Sequence, residues 1–418
     1  MKLLFLLLVF SLQSLQADVT AGEMLMKAAT LGDLKTVESL LSAGINPNLP
    51  LRDQQSPISF AILAGQTQVV QLLLAWHADP NAPMNSRFPE TPLQYAAQNG
   101  NVRMASILIA GGAEVNRKGA QGGTALHAAG AHLEMVRLLI EKGADLNARD
   151  AEGASPLDDA VWRGSLDTVA ILLAHGARLN EADTQTGATP INEAAYRGNT
   201  ALVQYLLQFH PDLAIPDQRG NGPLDNAIRM GKEDAGLLLL DAEPKERQTP
   251  QFLGKTMDAA IAKDQSLLVD ALLRLGQPVN GALPSGNTPL DAAAFSGAVK
   301  SVGILLNKSA DPNLSGPGGM TPLEDAALKG FDSIAGMLLD HGAQVNHINS
   351  GSGTTALYAA ASFGKDTMVK LLLNRGANPS LCGENRKSPY QAALNNGFGD
   401  VATEIKARRG ASDCRPQN

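Results

Sequence analysis

Beyond about residue 20 the apolar positions repeat one figure. A short run of small and apolar residues is followed by a glycine, then a more hydrophobic run, another glycine and a polar stretch. TPLQYAAQNG from Thr91, TPINEAAYRG from Thr189 and TPLEDAALKG from Thr321 carry the first run, and VVQLLLA from Val69, TVAILLA from Thr168 and MVKLLLN from Met368 the second. Apolar residues three and four apart share one face of a helix, so each figure predicts two short helices joined by a glycine turn. With the Thr or its substitute as position one, copies begin at Glu23, Ser56, Thr91, Thr124, Ser155, Thr189, Gly222, Lys255, Thr288, Thr321, Thr355 and Ser388, at intervals of 31 to 35 and mostly 33 residues. Self-similarity at such a period signals a stacked array, in which no unit buries its apolar face alone.

Each position has a physical reading. The Thr caps the first helix, the Pro suits its first turn, and the acid three places on (Asp158, Asp225, Asp291, Glu324) can complete a capping box. Paired small residues, such as Ala96 with Ala97 and Ala194 with Ala195, let neighbouring helices approach closely. Gly100, Gly164, Gly198, Gly231, Gly297, Gly330 and Gly364 then supply the turn. The second helix ends at another glycine, such as Gly143, Gly176, Gly342 or Gly376, before a polar loop such as ADLNARDAEGA.

This pattern resembles the ankyrin repeat, whose signature is T-P-L-H-x-A; TALHAA from Thr124 is the nearest match, and GADLNARD from Gly143 is similar to the family's loop. The resemblance extends over about nine-tenths of the chain. It implies an all-α ankyrin-repeat solenoid of about twelve helix-turn-helix units with projecting hairpin loops. It also implies a partner held by those loops and by the exposed ends of the first helices, which line a concave groove.

Three departures stand out. The fourth copy, TALHAAGAHLEMVRLL, is two residues shorter between cap and second helix, so its first helix or turn must contract. The seventh ends in DAEPKERQTPQFLGK, which loses the Gly-Ala-Asp-x-Asn loop and predicts an irregular loop near 242–254. The eighth, from Lys255, lacks the Thr-Pro start. The organisation read from this is a leader over 1–17, repeats one to seven over 18–244, repeats eight to twelve over 245–410, and a tail over 411–418. Either a hinge at the irregular loop or a continuous array fits.

The leader is MKLLFLLLVFSLQSLQA: one charge at Lys2, an apolar run from Leu3 to Phe10, and a polar stretch ending at Ala17. That is the layout of a signal peptide cleaved after Ala17, and the run is too short to span a bilayer. An exported protein without a membrane span is expected, periplasmic or secreted. The net charge of -7 draws the molecule neither to phosphates nor to anionic lipid, which argues against nucleic acid as partner. The two cysteines, Cys382 and Cys414, exclude a disulfide framework but permit one bridge after export. They occupy near-equivalent places in adjacent units, and a translation of roughly 8–10 Å between units requires the tail to bend back.

Motifs for catalysis, metal or cofactor are missing. There is no Gly-x-Ser-x-Gly elbow, phosphate-cradling loop, His-Glu-x-x-His or paired-cysteine motif. His175, His210 and His341 recur just after the second helix as consensus residues, His127 is expected to bond neighbouring loops, and His77, His132 and His347 lack metal-ligand spacing. Capping and loop bonding are the expected roles of Asp158, Asp159, Glu324 and Asp325. The reading is therefore a binding protein, not an enzyme: a monomer with no cofactor and no metal.

By the family's register, the two residues before the mid-repeat glycine face the partner. In repeats five to seven these are Trp162 and Arg163, Tyr196 and Arg197, and Arg229 and Met230, in a chain with only 4% aromatics. Trp, Tyr and Arg are enriched in binding hot spots because they join large desolvatable area to a polar handle. An exported scaffold holding a protein with an acidic or mixed surface is the leading expectation. Beside it stand an inhibitor or immunity-like protein that neutralises a secreted enzyme, and an effector acting on host proteins.

Overall fold

The computed structural model describes residues 21–49, 55–84, 90–383 and 386–408. The leader over 1–17, Cys414 and the tail over 411–418 lie outside the described residues. The described chain is helical and without a strand, and it divides into two compact units: residues up to 194 with 201–222, and 195–200 with 223 onward.

In the first unit the pairs are α1 (21–31) with α2 (Leu34–Ser42), α3 (Pro57–Leu63) with α4 (Thr67–Ala75), α5 (Pro92–Gln98) with α6 (Val102–Ala110), α7 (Ala125–Ala129) with α8 (Leu133–Glu141), and α9 (Pro156–Arg163) with α10 (Leu166–Ala174). The partition runs through α11 (Pro190–Arg197), while α12 (Thr200–Leu207) falls almost wholly in the first unit. First helices stack on first helices, α5 on α7 on α9, and second helices on second, α2 through α10. The predicted small pairs set this spacing: Ala96 and Ala97 are completely enclosed, with Leu93 and Leu108 beside them in the core.

The second unit repeats the plan with α13 (Pro223–Arg229) and α14 (Glu233–Ala242), α15 (Pro250–Ala262) and α16 (Ser266–Arg274), and α17 (Pro289–Ser296) and α18 (Val299–Asn307). It continues with α19 (Pro322–Lys329) and α20 (Asp332–Asp340), α21 (Ala356–Ser362) and α22 (Asp366–Asn374), and α23 (Pro389–Asn395) and α24 (Gly399–Lys406). Ala293 and Ala294, Ala326 and Ala327, and Ala360 and Ala361 are buried where first helices meet.

The caps follow the sequence reading closely. Ser155 Oγ accepts from the Asp158 amide at 3.2 Å while Asp158 Oδ2 accepts from the Ser155 amide at 2.8 Å, a reciprocal box that satisfies two otherwise orphaned donors. Glu324 does the same for Thr321, and glutamines serve at Thr91 and Ser388. Asp291 departs from the expectation: its amide donates to Thr288 Oγ1, but its carboxyl turns away to hydrogen-bond Asp325. Gly164, with φ at 75°, ends α9 in the left-handed conformation that a turn into α10 requires.

The loops are tied by a ladder of asparagines. Asn116 Oδ1 accepts from the Asp145 amide at 2.7 Å, and Asn147 Oδ1 from the Arg178 amide at 2.9 Å. In the second unit, Asn280, Asn313 and Asn346 receive the amides of Asp311, Gln344 and Asn378. Each of these rungs links one loop to the next.

The expected loop near 242–254 is corrected. The non-helical stretch covers 243–249 alone, with a 3-10 turn at Lys245–Arg247, and α15 begins at Pro250 with Thr249 Oγ1 accepting from the Phe252 amide at 3.2 Å. The Thr-Pro start of this repeat is therefore not lost but shifted upstream of Lys255, lengthening its first helix to 13 residues. The segment lies inside the second unit, where α13 packs on α15 and α14 on α16.

Candidate functional site

The contraction of the fourth repeat falls on the helix. α7 has 5 residues where α9 has 8, and it closes at Gly130 with φ 54° and ψ -119°. The neighbouring first helices run on to Gln98 and Arg163 and overhang the missing turn. Between them opens a cavity of about 330 Å³, floored by Ala128 and Gly130 and walled by Gln94, Gln98, Asp159 and Arg163.

Most polar groups lining it are engaged in holding the fold. Gln94 Oε1 accepts from the Thr91 amide at 2.8 Å and its Nε2 donates to the Gly123 carbonyl at 2.6 Å. His127 Nδ1 accepts from the Thr124 amide at 3.0 Å, which places its proton on Nε2, 3.2 Å from the Ala154 carbonyl. Burial depresses its pKa, so the imidazole is a neutral loop tie, as the sequence reading expected. Asp150 receives the amides of Glu152 and Ala154. Asp159 and Arg163 join Glu90 and Asp150 as the charged groups that line the cavity. Burial pushes Asp159 up to about 6, against the pull of the Arg163 guanidinium. Asp159 is not the capping residue expected, since Asp158 already fills the box.

The six residues singled out for partner contact all lie on the surface. Trp162 is 58% exposed beside Arg163 in the first unit. In the second unit, Tyr196 and Met230 are 39% and 38% exposed, and Arg197 is exposed with them. The Arg229 guanidinium stands 5.7 Å from the Tyr196 ring centroid while its Nη2 donates to Asn226 Oδ1 at 3.1 Å, which fixes a cation over an aromatic face. The structure thus places Trp162 with Arg163, and Tyr196 with Arg229. Sequence reasoning missed the cavity and gave Asp159 a capping or loop-bonding role, although the short fourth repeat was the signal of the gap.

The other candidate groups are accounted for locally. His175 Nδ1 lies 2.8 Å from the Ile171 carbonyl and His341 Nδ1 2.9 Å from that of Met337, so each closes its own helix. Among the described residues no group of three or more His, Cys, Asp or Glu could hold a metal ion, and no helix is long and apolar enough to cross a membrane. Cys382 is buried, and its proposed partner Cys414 lies outside the described residues.

A family model described as ankyrin repeats (3 copies) matches residues 25–119, 77–150, 117–183, 157–248 and 256–349, and one described as ankyrin repeats (many copies) matches 338–393. Cyclin-dependent kinase 4 inhibitor B of Rattus norvegicus is 35% identical over 92 residues, which is 22% of this chain and 69% of that protein. Glycerophosphocholine phosphodiesterase gde1 of Schizosaccharomyces pombe is 35% identical and the probable E3 ubiquitin-protein ligase XBOS31 of Oryza sativa 36% identical, each over 95 residues and 22% of this chain. The chain spans only 8% and 20% of their respective lengths. Among solved structures, the ankyrin repeat domain of Bcl-3 matches at 28% identity and a TM-score of 0.47, covering 52% of this chain and 97% of that one.

Proposed function

The chain belongs to the ankyrin-repeat family, and on that premise we propose that it is an exported recognition scaffold that holds a partner protein against the exposed ends of its first helices. The observation that carries this reading is the cavity at the fourth repeat. A stack optimised only for its own stability would complete α7, whereas here Asp159 and Arg163 are held at the edge of an open gap beside the exposed Trp162. A half-buried carboxylate left at such an edge lowers stability, and that is the kind of sacrifice found where a protein meets a ligand. Tyr196 with Arg229 extends the same chemistry in the second unit.

The leader over 1–17 directs the chain to the periplasm on this reading, and the partner presents an acidic or mixed surface to the arginines. The family's usual role is binding, which supports a scaffold over a catalyst. The test is affinity capture from the native compartment with the full chain and with a Trp162→Ala, Arg163→Ala double variant. The wild-type chain should recover a specific protein, and the variant should bind it at least about tenfold more weakly with unfolding unchanged. Equal binding by the two chains would refute the assignment of this surface.

A further inference from the structure

Inside the second unit two carboxyl groups meet without a cation. Asp291 of α17 and Asp325 of α19 are 2% and 6% exposed and stand close enough to share a hydrogen bond when one of them is protonated. Among the described residues neither forms an ion pair, and Asp291 Oδ1 has no hydrogen-bond partner at all. An acceptor buried in this way costs stability unless something else satisfies it.

What lies in front of the pair is a cavity of about 170 Å³, lined by both carboxyls, Asn287, Phe295, Met320 and the Gly316–Gly318 turn. A Cβ at Gly316 would collide with Asp291 Oδ2, so the loop comes this close only because no side chain stands there. Phe295 already attracts a cation: Lys329 Nζ lies 4.5 Å from the ring centroid. The site therefore combines a doubly acidic floor, an aromatic wall and an opening of side-chain size.

We propose that this cavity receives the ammonium end of a lysine side chain from a partner protein. Its methylene stem lies along Phe295 and Met320, and its N–H groups donate to the carboxyl oxygens of Asp291 and Asp325 that line the cavity. An ammonium suits the place better than a guanidinium, because the acceptors converge on one point and a compact charge with three donors satisfies them together. A metal ion is disfavoured by the donor set, since no three ligating side chains converge among the described residues.

Without a guest, the pair keeps a proton. Burial, with Asp291 and Glu324 nearby, pushes Asp325 up to about 8, while Lys329 pulls it down. The other charges on the packed elements are engaged elsewhere. Asp258 of α15 accepts from Ser285, Lys255 faces Asp225 at 3.7 Å, and His347 stands 3.6 Å from Glu324 Oε1. α17 has no further ionisable side chain, and α21 has only Tyr358. The guest's charge replaces the proton, which leaves to water, so binding strengthens as pH rises and the carboxyls ionise.

This deepens the recognition reading and rests on it only for the source of the lysine; the probe needs no partner, so the two ideas fail separately. The full chain is titrated with Nα-acetyl-lysine methylamide and with its norleucine counterpart, followed by ligand-observed NMR. The lysine compound should bind and the norleucine compound should not, and affinity should rise roughly tenfold between about pH 6.5 and about pH 9. Asp291→Asn and Asp325→Asn should each abolish the binding. Gly316→Ala, whose Cβ would crowd Asp291 Oδ2 at the mouth, should weaken it in a chain whose circular dichroism is unchanged. Equal binding of norleucine, pH-independent binding, or full binding by Asp325→Asn would overturn the proposal.

Discussion

Nε and Nη1 of Arg163 lie 3.8 Å from the point where a Cβ on Gly130 would stand. The side chain that borders the cavity in the first unit therefore also roofs the truncated end of α7. Backbone conformation and the proposed recognition surface meet at this contact, and substitution can separate them.

Gly130→Ala should be destabilising for a backbone reason alone. The added methyl would find ordinary van der Waals contact with Arg163, but φ 54° with ψ -119° is a conformation that residues with a Cβ rarely adopt. A cost of about 1–3 kcal/mol is expected, read as a lower urea midpoint by circular dichroism. Arg163→Ala should shift that midpoint by less than about 0.5 kcal/mol and act on partner binding instead. The reverse ranking would mean that Arg163 is a structural strut.

Asp159 gives a pH signature. Its folded pKa of about 6 stands above the ordinary carboxylate value of 3.8, so between these values the folded chain binds more protons than the unfolded one. Stability from this group is then complete at low pH and lost as pH rises through about 6. Asp159→Asn, which mimics the protonated form, should stabilise the protein by about 1 kcal/mol at pH near 7.5 and hardly at all near pH 4. Chemical denaturation at both pH values decides it, and a gain confined to acid would show the sign to be wrong.

Much of this architecture was legible because it rests on local chemistry. Thr91 with Pro92 starts a helix, Gly164 ends one, and the Ala pairs report how closely helices pack; each follows from residues within one repeat. Less legible were features set by a neighbouring repeat. Asp291 sits at the capping-box position, yet its carboxyl joins Asp325 from the next first helix. Thr249 and Pro250 carry the proper helix start at an unusual phase, so the period concealed them. The two-residue contraction announced a short α7, but the cavity exists because α5 and α9 overhang it.

The asparagine ladder predicts an energetic role for residues that look like mere loop polarity. Asn116 accepts the Asp145 amide and donates from Nδ2 to the Gly143 carbonyl at 3.0 Å, so one side chain satisfies two backbone groups of the next repeat. Asn116→Ala should cost about 1–3 kcal/mol, and Asn116→Asp, which keeps the acceptor but loses the donor, less than that. Equilibrium unfolding of the two variants tests the order. If both matched wild type, the interlocking of loops would contribute little to the stack.

The N-terminal and C-terminal expectations are tested together on protein recovered from its native compartment. If the leader is cleaved after Ala17, the intact mass corresponds to a chain beginning at Asp18. If Cys382 and Cys414 are joined there, the same sample shows no free thiol and migrates faster on a non-reducing gel than after reduction. The bridge requires the tail to bend back over the last full loop, because a simple translation by one repeat, roughly 8–10 Å, exceeds disulfide reach. Cys382 is already placed for this at the base of that loop, buried rather than presented to solvent. Closing this terminal loop should add about 2–4 kcal/mol, so reduction, or Cys414→Ser, should lower the midpoint of the second unit's unfolding while leaving that of the first unchanged. Two reactive thiols in the exported protein, or a full-length mass, would overturn the corresponding half of the prediction.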